Sequence, residues 1–165
     1  MSTPNNELNT SIEPDTVSTD AHKFALIVGV NNSSVSSQLA SLKYAEDDAI
    51  EVYRTLRQDD CGFTFHDPVL TGSKAGTAEV RSSLIRLVDE KTDQDFLLFY
   101  FIGHAQPVKT KQGYTDIYFV THNFNPKEVK KDINAHLSMR WLRDILYQSE
   151  GAGGVLIILD CCYAG

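Results

Sequence analysis

Three short, almost uninterrupted apolar runs constrain the fold of this chain more than any other feature. They read KFALIVGV from Lys23, FLLFYFIG from Phe96 and VLIIL from Val155. A strand with one face in water alternates apolar and polar residues, whereas a strand covered on both faces is apolar throughout. The runs therefore predict neighbouring strands of a mostly parallel sheet that is covered on both sides.

Segments in which apolar residues recur at helical spacing separate these runs. They extend from Leu42 to about Gln58, from Thr77 to Val88, and from Ser138 to the GAGG break. A weak strand is expected around 65–70, a polar loop with Pro107 and Gly113 after the second run, and a short strand at 116–120. Strands that alternate with helices indicate an α/β domain, a three-layer sandwich with helices on both faces of the sheet.

Composition limits the classes of function. The chain has 165 residues, enough for one domain with a real core, and a net charge of −7, which argues against a nucleic-acid or anionic-membrane partner. Three cysteines, two of them adjacent, give neither a disulfide framework nor zinc spacing, and no metal or other cofactor is expected. Without an apolar span or a secretory signal, the chain is expected to be cytoplasmic, with reduced thiols.

Residues 1–22 differ from the rest of the chain. They are rich in Ser, Thr, Asn, Asp and Glu and contain no aromatic residue. Such a segment buries too little apolar surface to offset its chain entropy, so we expect a disordered arm. It is either a plain tail or leader, which we favour, or a regulatory pro-segment. The folded domain is expected to span residues 23–165.

Reactive side chains follow two of the apolar runs. His104 comes after FLLFYFIG, and Cys161 and Cys162 come after VLIILD. In open α/β sheets the working groups gather beyond the carboxyl ends of the strands, and Gly103 is expected to allow a sharp turn there. An imidazole and a thiol at adjacent strand ends are a base and a nucleophile. The alternative is a hydrogen-bonded structural histidine beside small buried cysteines.

Strand alternation separates the two adjacent cysteines. Asp160 and Cys162 are expected on one face of the strand and Cys161 on the other. One cysteine would then face a cleft and the other the core. The alternation alone leaves open which is which.

At these residues the sequence resembles the caspase-like cysteine peptidases, and most closely the metacaspases and their bacterial relatives. FIGHA and DCCYAG stand where that family has motifs like Y-S-G-H-G and D-x-C-x-S-G, at about the expected separation. The resemblance extends through KFALIVGVN and LKYAEDDA and covers residues 23–165. It implies a caspase-like fold and a cysteine endopeptidase.

The resemblance also implies roles for individual residues. Cys162 matches the nucleophile, His104 the general base, and Cys161 the variable position between the aspartate and the nucleophile. The backbone N–H groups of Cys162 and Ala105 match the oxyanion hole, which stabilises the tetrahedral intermediate. Ala105 stands where the family usually has glycine, so a positive φ at this position would be strained.

Two carboxylates match the acidic specificity pocket of metacaspases. They are Asp160 and Asp48, although Asp47 beside the latter leaves that match ambiguous. An acidic pocket would bind Arg or Lys of a peptide or protein substrate, so cleavage after basic residues is expected. The segment NPKEVKKD, where some metacaspases bind calcium, carries three lysines, and we expect no calcium site.

The chain ends just after the matched nucleophile, so the fold is expected to be incomplete at its C-terminus. The family continues with a small subunit, and a small-subunit segment or a second chain is expected as a partner. An alternative function is a catalytically weak or inactive caspase-like module that acts through protein–protein contacts. A nucleotide-binding domain is a weaker alternative, because GAGG precedes its strand instead of following one.

Overall fold

The computed structural model describes residues 21–35, 39–89, 91–111, 113–147 and 152–163. Of these, Cys162 and Tyr163 are described by their backbone alone. Nearly all of the expected disordered arm lies outside the described residues. The strands are β1 (Lys23–Gly29), β2 (Phe63–Thr64), β3 (Leu70–Thr71), β4 (Phe96–Lys109), β5 (Thr115–Phe119) and β6 (Gly154–Tyr163). The helices are α1 (Ala45–Leu56), α2 (Thr77–Asp89), α3 (Pro126–Val129) and α4 (Met139–Tyr147), with a 3₁₀ turn at Gly72–Ala75.

The three apolar runs form the centre of one six-stranded sheet. β4 lies between β1 and β6 and is parallel to both. The short strands β2 and β3 extend the sheet on the far side of β1, also in parallel. Only β5 is antiparallel, and it pairs with the end of β4 that projects beyond β1. The expected mostly parallel sheet is therefore confirmed.

Helices cover the sheet on two sides, and successive residues of β4 point to them in turn. Leu98 and Ile102 pack with Ala49 of α1, on what we call the α1 face. Phe99 and Phe101 pack with residues of α2 and α4, on what we call the α2–α4 face. This division confirms the three-layer α/β sandwich.

Three local expectations were wrong. Residues 65–69 form no strand, because Pro68 lacks the N–H that a ladder needs, and only the short β2 and β3 flank them. The expected polar loop with Pro107 and Gly113 begins later than expected: β4 continues through Pro107 to Lys109, where it pairs with β5, and of the two residues only Gly113 lies in the loop. Gly103 makes no turn: it lies inside β4, where a Cβ atom would come within 3.3 Å of the Val30 carbonyl oxygen.

Ser138 begins the third predicted helix as expected. Its Oγ accepts a hydrogen bond from the backbone N–H of Trp141 at 3.1 Å, the geometry of an N-cap. Of the helices in the described ranges, none is long and apolar enough to cross a membrane.

Helix α1 lies directly on the end of β1, and Gly29 makes this approach possible. A Cβ atom at residue 29 would stand 2.5 Å from the Cβ of Ala49 and 2.6 Å from the Ala45 carbonyl oxygen. Both are parts of the helix that cannot move independently of it. The position of α1 on the sheet therefore depends on a residue without a side chain.

We expect Gly29→Ala to lower the free energy of unfolding by about 1–3 kcal/mol, because the added methyl group overpacks the contact with α1. Urea denaturation measures the change. Gly76→Ala is the matched control, since a Cβ atom there meets mainly the flexible carboxylate of Glu79, which can move away. Equal stability of the two variants would contradict the close approach.

Candidate active site

His104 lies on β4 and is 7% exposed. Its Nε2 atom is 2.8 Å from the backbone carbonyl oxygen of Ala40. A carbonyl oxygen only accepts, so Nε2 carries the hydrogen and the neutral ring has its lone pair on Nδ1. Nδ1 is buried and has no hydrogen-bond partner among the described residues. The ring therefore holds a buried acceptor nitrogen in a fixed orientation.

The register of the sheet sets Cys162 beside this histidine. His104 and Cys162 are Cα partners in the parallel ladder between β4 and β6, and Ile102 and Asp160 are the partners one step earlier on the same face. Neighbouring strands lie about 4.8 Å apart. The backbone therefore brings together the two residues that the sequence singled out as base and nucleophile.

The structure distinguishes the two adjacent cysteines. Cys161 packs against the cluster of apolar residues on the α2–α4 face, together with Leu159. Because strand residues alternate between faces, position 162 belongs to the α1 face, as does His104. Cys161 is therefore the cysteine that contacts the core, a point that strand alternation alone left open.

Two carboxylates act electrostatically on Tyr100, a residue of the α1 face. Burial raises the pKa of Tyr100, and the negative charges of Asp160 and then Asp48 raise this pKa further. Asp160 comes from β6 and the exposed Asp48 from the first turn of α1, so the fold brings both predicted carboxylates to one tyrosine. Asp48, and not Asp47, is among the charges that raise this pKa, while the role of either aspartate in a specificity pocket stays a prediction.

The loop that carries Ala40 is tied to the start of α1. The backbone N–H of Asn31 donates to Glu46 Oε1 at 3.2 Å, and the backbone N–H of Glu46 donates to Asn31 Oδ1 at 3.3 Å. The backbone N–H of Leu42 donates to the Asn31 carbonyl oxygen at 2.8 Å. These bonds were not predicted from the sequence, because Asn31 and Glu46 are 15 residues apart and form no local capping motif.

Ala105 lies inside the sheet, opposite Phe119 of β5 on one side and Tyr163 of β6 on the other. No residue other than glycine has a positive φ in the described part of the chain, so alanine is unstrained at this position. A backbone N–H within a ladder points along the sheet toward a neighbouring strand. The oxyanion hole at Ala105 and Cys162 stays a prediction.

The described residues contain no group of three or more His, Cys, Asp or Glu side chains that could hold a metal ion. The segment NPKEVKKD forms α3 and the turn after it. Its Glu128 carboxylate lies 3.3 Å from Nε2 of the buried His136. Its other acid, Asp132, accepts at Oδ1 from the backbone N–H of Asn134 at 2.9 Å.

We expect Asp160→Asn to lower the pKa of Tyr100 toward its ordinary value, because the variant removes the charge that raises this pKa more than that of Asp48 does. A pH titration of tyrosinate absorbance measures the shift, and Tyr100→Phe identifies the contribution of this one tyrosine. Asp48→Asn is also expected to lower the pKa of Tyr100, but by less, because Asp48 raises this pKa less than Asp160 does. Asp47→Asn is the matched control on α1, and a shift as large as that of Asp48→Asn would contradict the assignment.

Comparisons with known proteins concern the family and the fold of the chain. The family model described as the caspase domain matches residues 22–165. The structure is also similar to the crystal structure of protein GSU0716 from Geobacter sulfurreducens, with a TM-score of 0.64 and 20% sequence identity over 87% of this chain. This chain spans 52% of that protein's length, and the likeness concerns the fold. A search among curated proteins found no match. The chain belongs to the caspase-domain family of peptidases.

Proposed function

We propose that this chain provides the catalytic residues of a cysteine endopeptidase, with Cys162 as nucleophile and His104 as general base. One observation carries the proposal: the buried Nδ1 of His104 has no hydrogen-bond partner among the described residues, and Cys162 is the residue opposite it in the neighbouring strand. An unsatisfied buried acceptor costs about 1–3 kcal/mol. A thiol on the same face of the sheet would satisfy it.

The reaction begins with transfer of the thiol proton from Cys162 to Nδ1 of His104. The thiolate attacks the carbonyl carbon of the scissile peptide bond, and the imidazolium then protonates the leaving amine as the C–N bond breaks. A water molecule that gives its proton to Nδ1 hydrolyses the thioester and restores the thiol. The Ala40 carbonyl oxygen, which accepts from Nε2, keeps the ring oriented and stabilises the imidazolium. This chemistry needs reduced thiols, and we propose a cytoplasmic location.

The negative oxygen of the tetrahedral intermediate needs donors directed into the cleft. We assign this role to the backbone N–H groups of Ala105 and Cys162. Because Ala105 lies in the ladder with β6, productive binding includes local separation of β4 from the end of β6. Substrate that enters between the two strand ends would replace the lost ladder bonds with its own contacts.

The carboxylates of Asp48 and Asp160 favour a basic residue just before the scissile bond. Both act on the Tyr100 hydroxyl from different elements, so a cation beside Tyr100 would interact with two negative charges. Asp160 lies two residues before Cys162, about 7 Å along the strand. That is a suitable separation for the extended side chain of Arg or Lys, whose backbone lies at the thiol.

A further segment, from the same protein or from a second chain, is proposed to cover β6. Four successive residues of this strand, Val155, Leu156, Ile157 and Ile158, are each 38–44% exposed although all are large and apolar. Within the described residues β6 pairs with β4 alone, which leaves its outer edge available for another strand. A small-subunit strand would pair with this edge and bury the apolar side chains.

A non-catalytic caspase-domain module is the second candidate function. The continuous ladder at Ala105 and Tyr163 favours it, because a closed ladder leaves no room for substrate at the oxyanion hole. The exposed apolar side chains of β6 would then bind a partner protein. This candidate predicts that the biological effect of the protein survives both Cys162→Ala and His104→Ala.

We expect the full-length protein that contains this chain to cleave peptides after Arg or Lys and not after Asp. Cys162→Ala and His104→Ala should each lower kcat by several orders of magnitude, because neither residue acts without the other. Asp160→Asn should lower kcat/KM for an Arg peptide about tenfold to a hundredfold, through loss of a charged partner.

Cys161→Ala is the matched control for Cys162→Ala, since Cys161 packs into the core and not into the cleft. It should retain cleavage and still react at Cys162 with a thiol-reactive peptide probe. Undiminished cleavage by Cys162→Ala, or no labelling of Cys162 by the probe, would contradict the peptidase proposal.

A further inference from the structure

A second groove lies beyond the candidate dyad, between the end of β4 and helix α3. Its volume is about 360 Å³, and its lining includes Gln106 and three exposed lysines: Lys109, Lys127 and Lys130. No acidic residue lines it. On a chain with a net charge of −7, this groove is a local reversal of charge. Such a reversal attracts negatively charged ligands.

Lys127 belongs to α3 and Lys130 directly follows it, and this helix is firmly held. The backbone N–H of Lys127 donates to Asn125 Oδ1 at 3.0 Å, and the backbone N–H of Asn125 donates to Nε2 of the buried His136 at 3.2 Å. Val129 of the same helix is buried against the cluster that contains Val108 of β4. Glu128, the acid between the two lysines, reaches toward His136 and does not line the groove. The positive charges are thus separated from the acids of the same segment.

Gln106 connects this groove to the dyad. It lies two residues after His104 on β4 and therefore shares the α1 face with it, about 7 Å farther along the strand. Its Oε1 atom is buried and has no hydrogen-bond partner among the described residues. A buried carbonyl oxygen needs a donor, and a peptide backbone N–H in the groove would supply one.

The α1 face is thus polarised along its length. Asp48 and Asp160 act on Tyr100 on one side of His104, and the groove with Lys127 and Lys130 lies on the other side, while Lys109 lines this groove from the last position of β4. A peptide that crosses the dyad with a basic residue at the carboxylates must extend its other half toward the lysines. From Gln106 to Lys109 the strand covers about 7–17 Å beyond His104, the reach of roughly the first five residues of an extended peptide.

We propose that the groove binds acidic side chains that follow the scissile bond, so that the substrates are proteins with a basic residue before the bond and Glu or Asp within about five residues after it. This inference rests on the proposed peptidase function and specifies its substrate class. Gln106 binds the substrate main chain, while Lys109, Lys127 and Lys130 bind its carboxylates. The interaction is electrostatic and close to the surface, so salt weakens it.

The test compares three peptides with the same Arg before the bond and Glu, Gln or Lys at the second to fifth positions after it. We expect the full-length protein to cleave the Glu peptide with a kcat/KM about tenfold above that of the Gln peptide, through a lower KM, and the Lys peptide least well. The differences should shrink at high salt. Lys127→Glu with Lys130→Glu should reverse the order of the Glu and Lys peptides. Lys74→Glu, at an exposed lysine outside this groove, should leave it unchanged.

A binding measurement separates this inference from the peptidase proposal. Fluorescence anisotropy with Cys162→Ala protein and the intact peptides reports on the groove without any cleavage. If no peptide is cleaved by the parent protein but the Glu peptide binds best, the peptidase proposal fails and the groove remains an acidic-peptide site. Cleavage after Arg that ignores the following charges would overturn the inference. Tighter binding of a DNA oligonucleotide or of inorganic polyphosphate than of the Glu peptide would also overturn it.

Discussion

The parallel register between β4 and β6 is the constraint on which the candidate site depends. It runs through ten consecutive pairs, from Phe96 and Gly154 to Ala105 and Tyr163. A slip of one residue would exchange the faces of β6 and place Cys161 opposite His104. Packing of Leu159 and Cys161 against the core on the α2–α4 face opposes that slip. The hydrophobic core therefore determines which of two adjacent cysteines meets the histidine.

Polar groups of three kinds follow one another along β4. Carboxylates from α1 and β6 act on Tyr100, the His104 ring follows with its fixed tautomer, and lysines lie beyond it. A backbone carbonyl at Ala40 holds the ring, so the orientation depends on the loop that Asn31 and Glu46 connect to α1. Helix α1 thus contributes a carboxylate to the proposed specificity pocket and also supports the base. Its close approach to β1 links the folding of the sheet to the geometry of the site.

The sequence was sufficient to predict the sheet and its covering layers, because strands that are covered on both faces consist of long apolar runs. It also predicted that His104 and Cys162 lie on neighbouring strand ends, and the two are Cα partners in the sheet, while their catalytic roles stay a proposal. The continuation of β4 was missed because Gln106 and Pro107 are typical of loops, and only pairing with β5 makes them a strand. The bond to Ala40 could not be predicted, since a backbone carbonyl has no sequence signature. The sequence could not show which of Asp47 and Asp48 acts on Tyr100, because that depends on how α1 is rotated on the sheet.

The most direct test of the pairing of residues 104 and 162 on neighbouring strands is a disulfide cross-link. With Cys61→Ser and Cys161→Ala in the background, His104→Cys places two thiols on strand neighbours whose Cα atoms lie about 4.8 Å apart, within the range of a disulfide. Mild oxidation of the folded protein, followed by mass spectrometry of its peptides, is expected to find residues 104 and 162 linked, and Gln106→Cys in the same background is expected to remain unlinked. Absence of a link at 104, or equal linking at 106, would contradict the register on which the dyad depends.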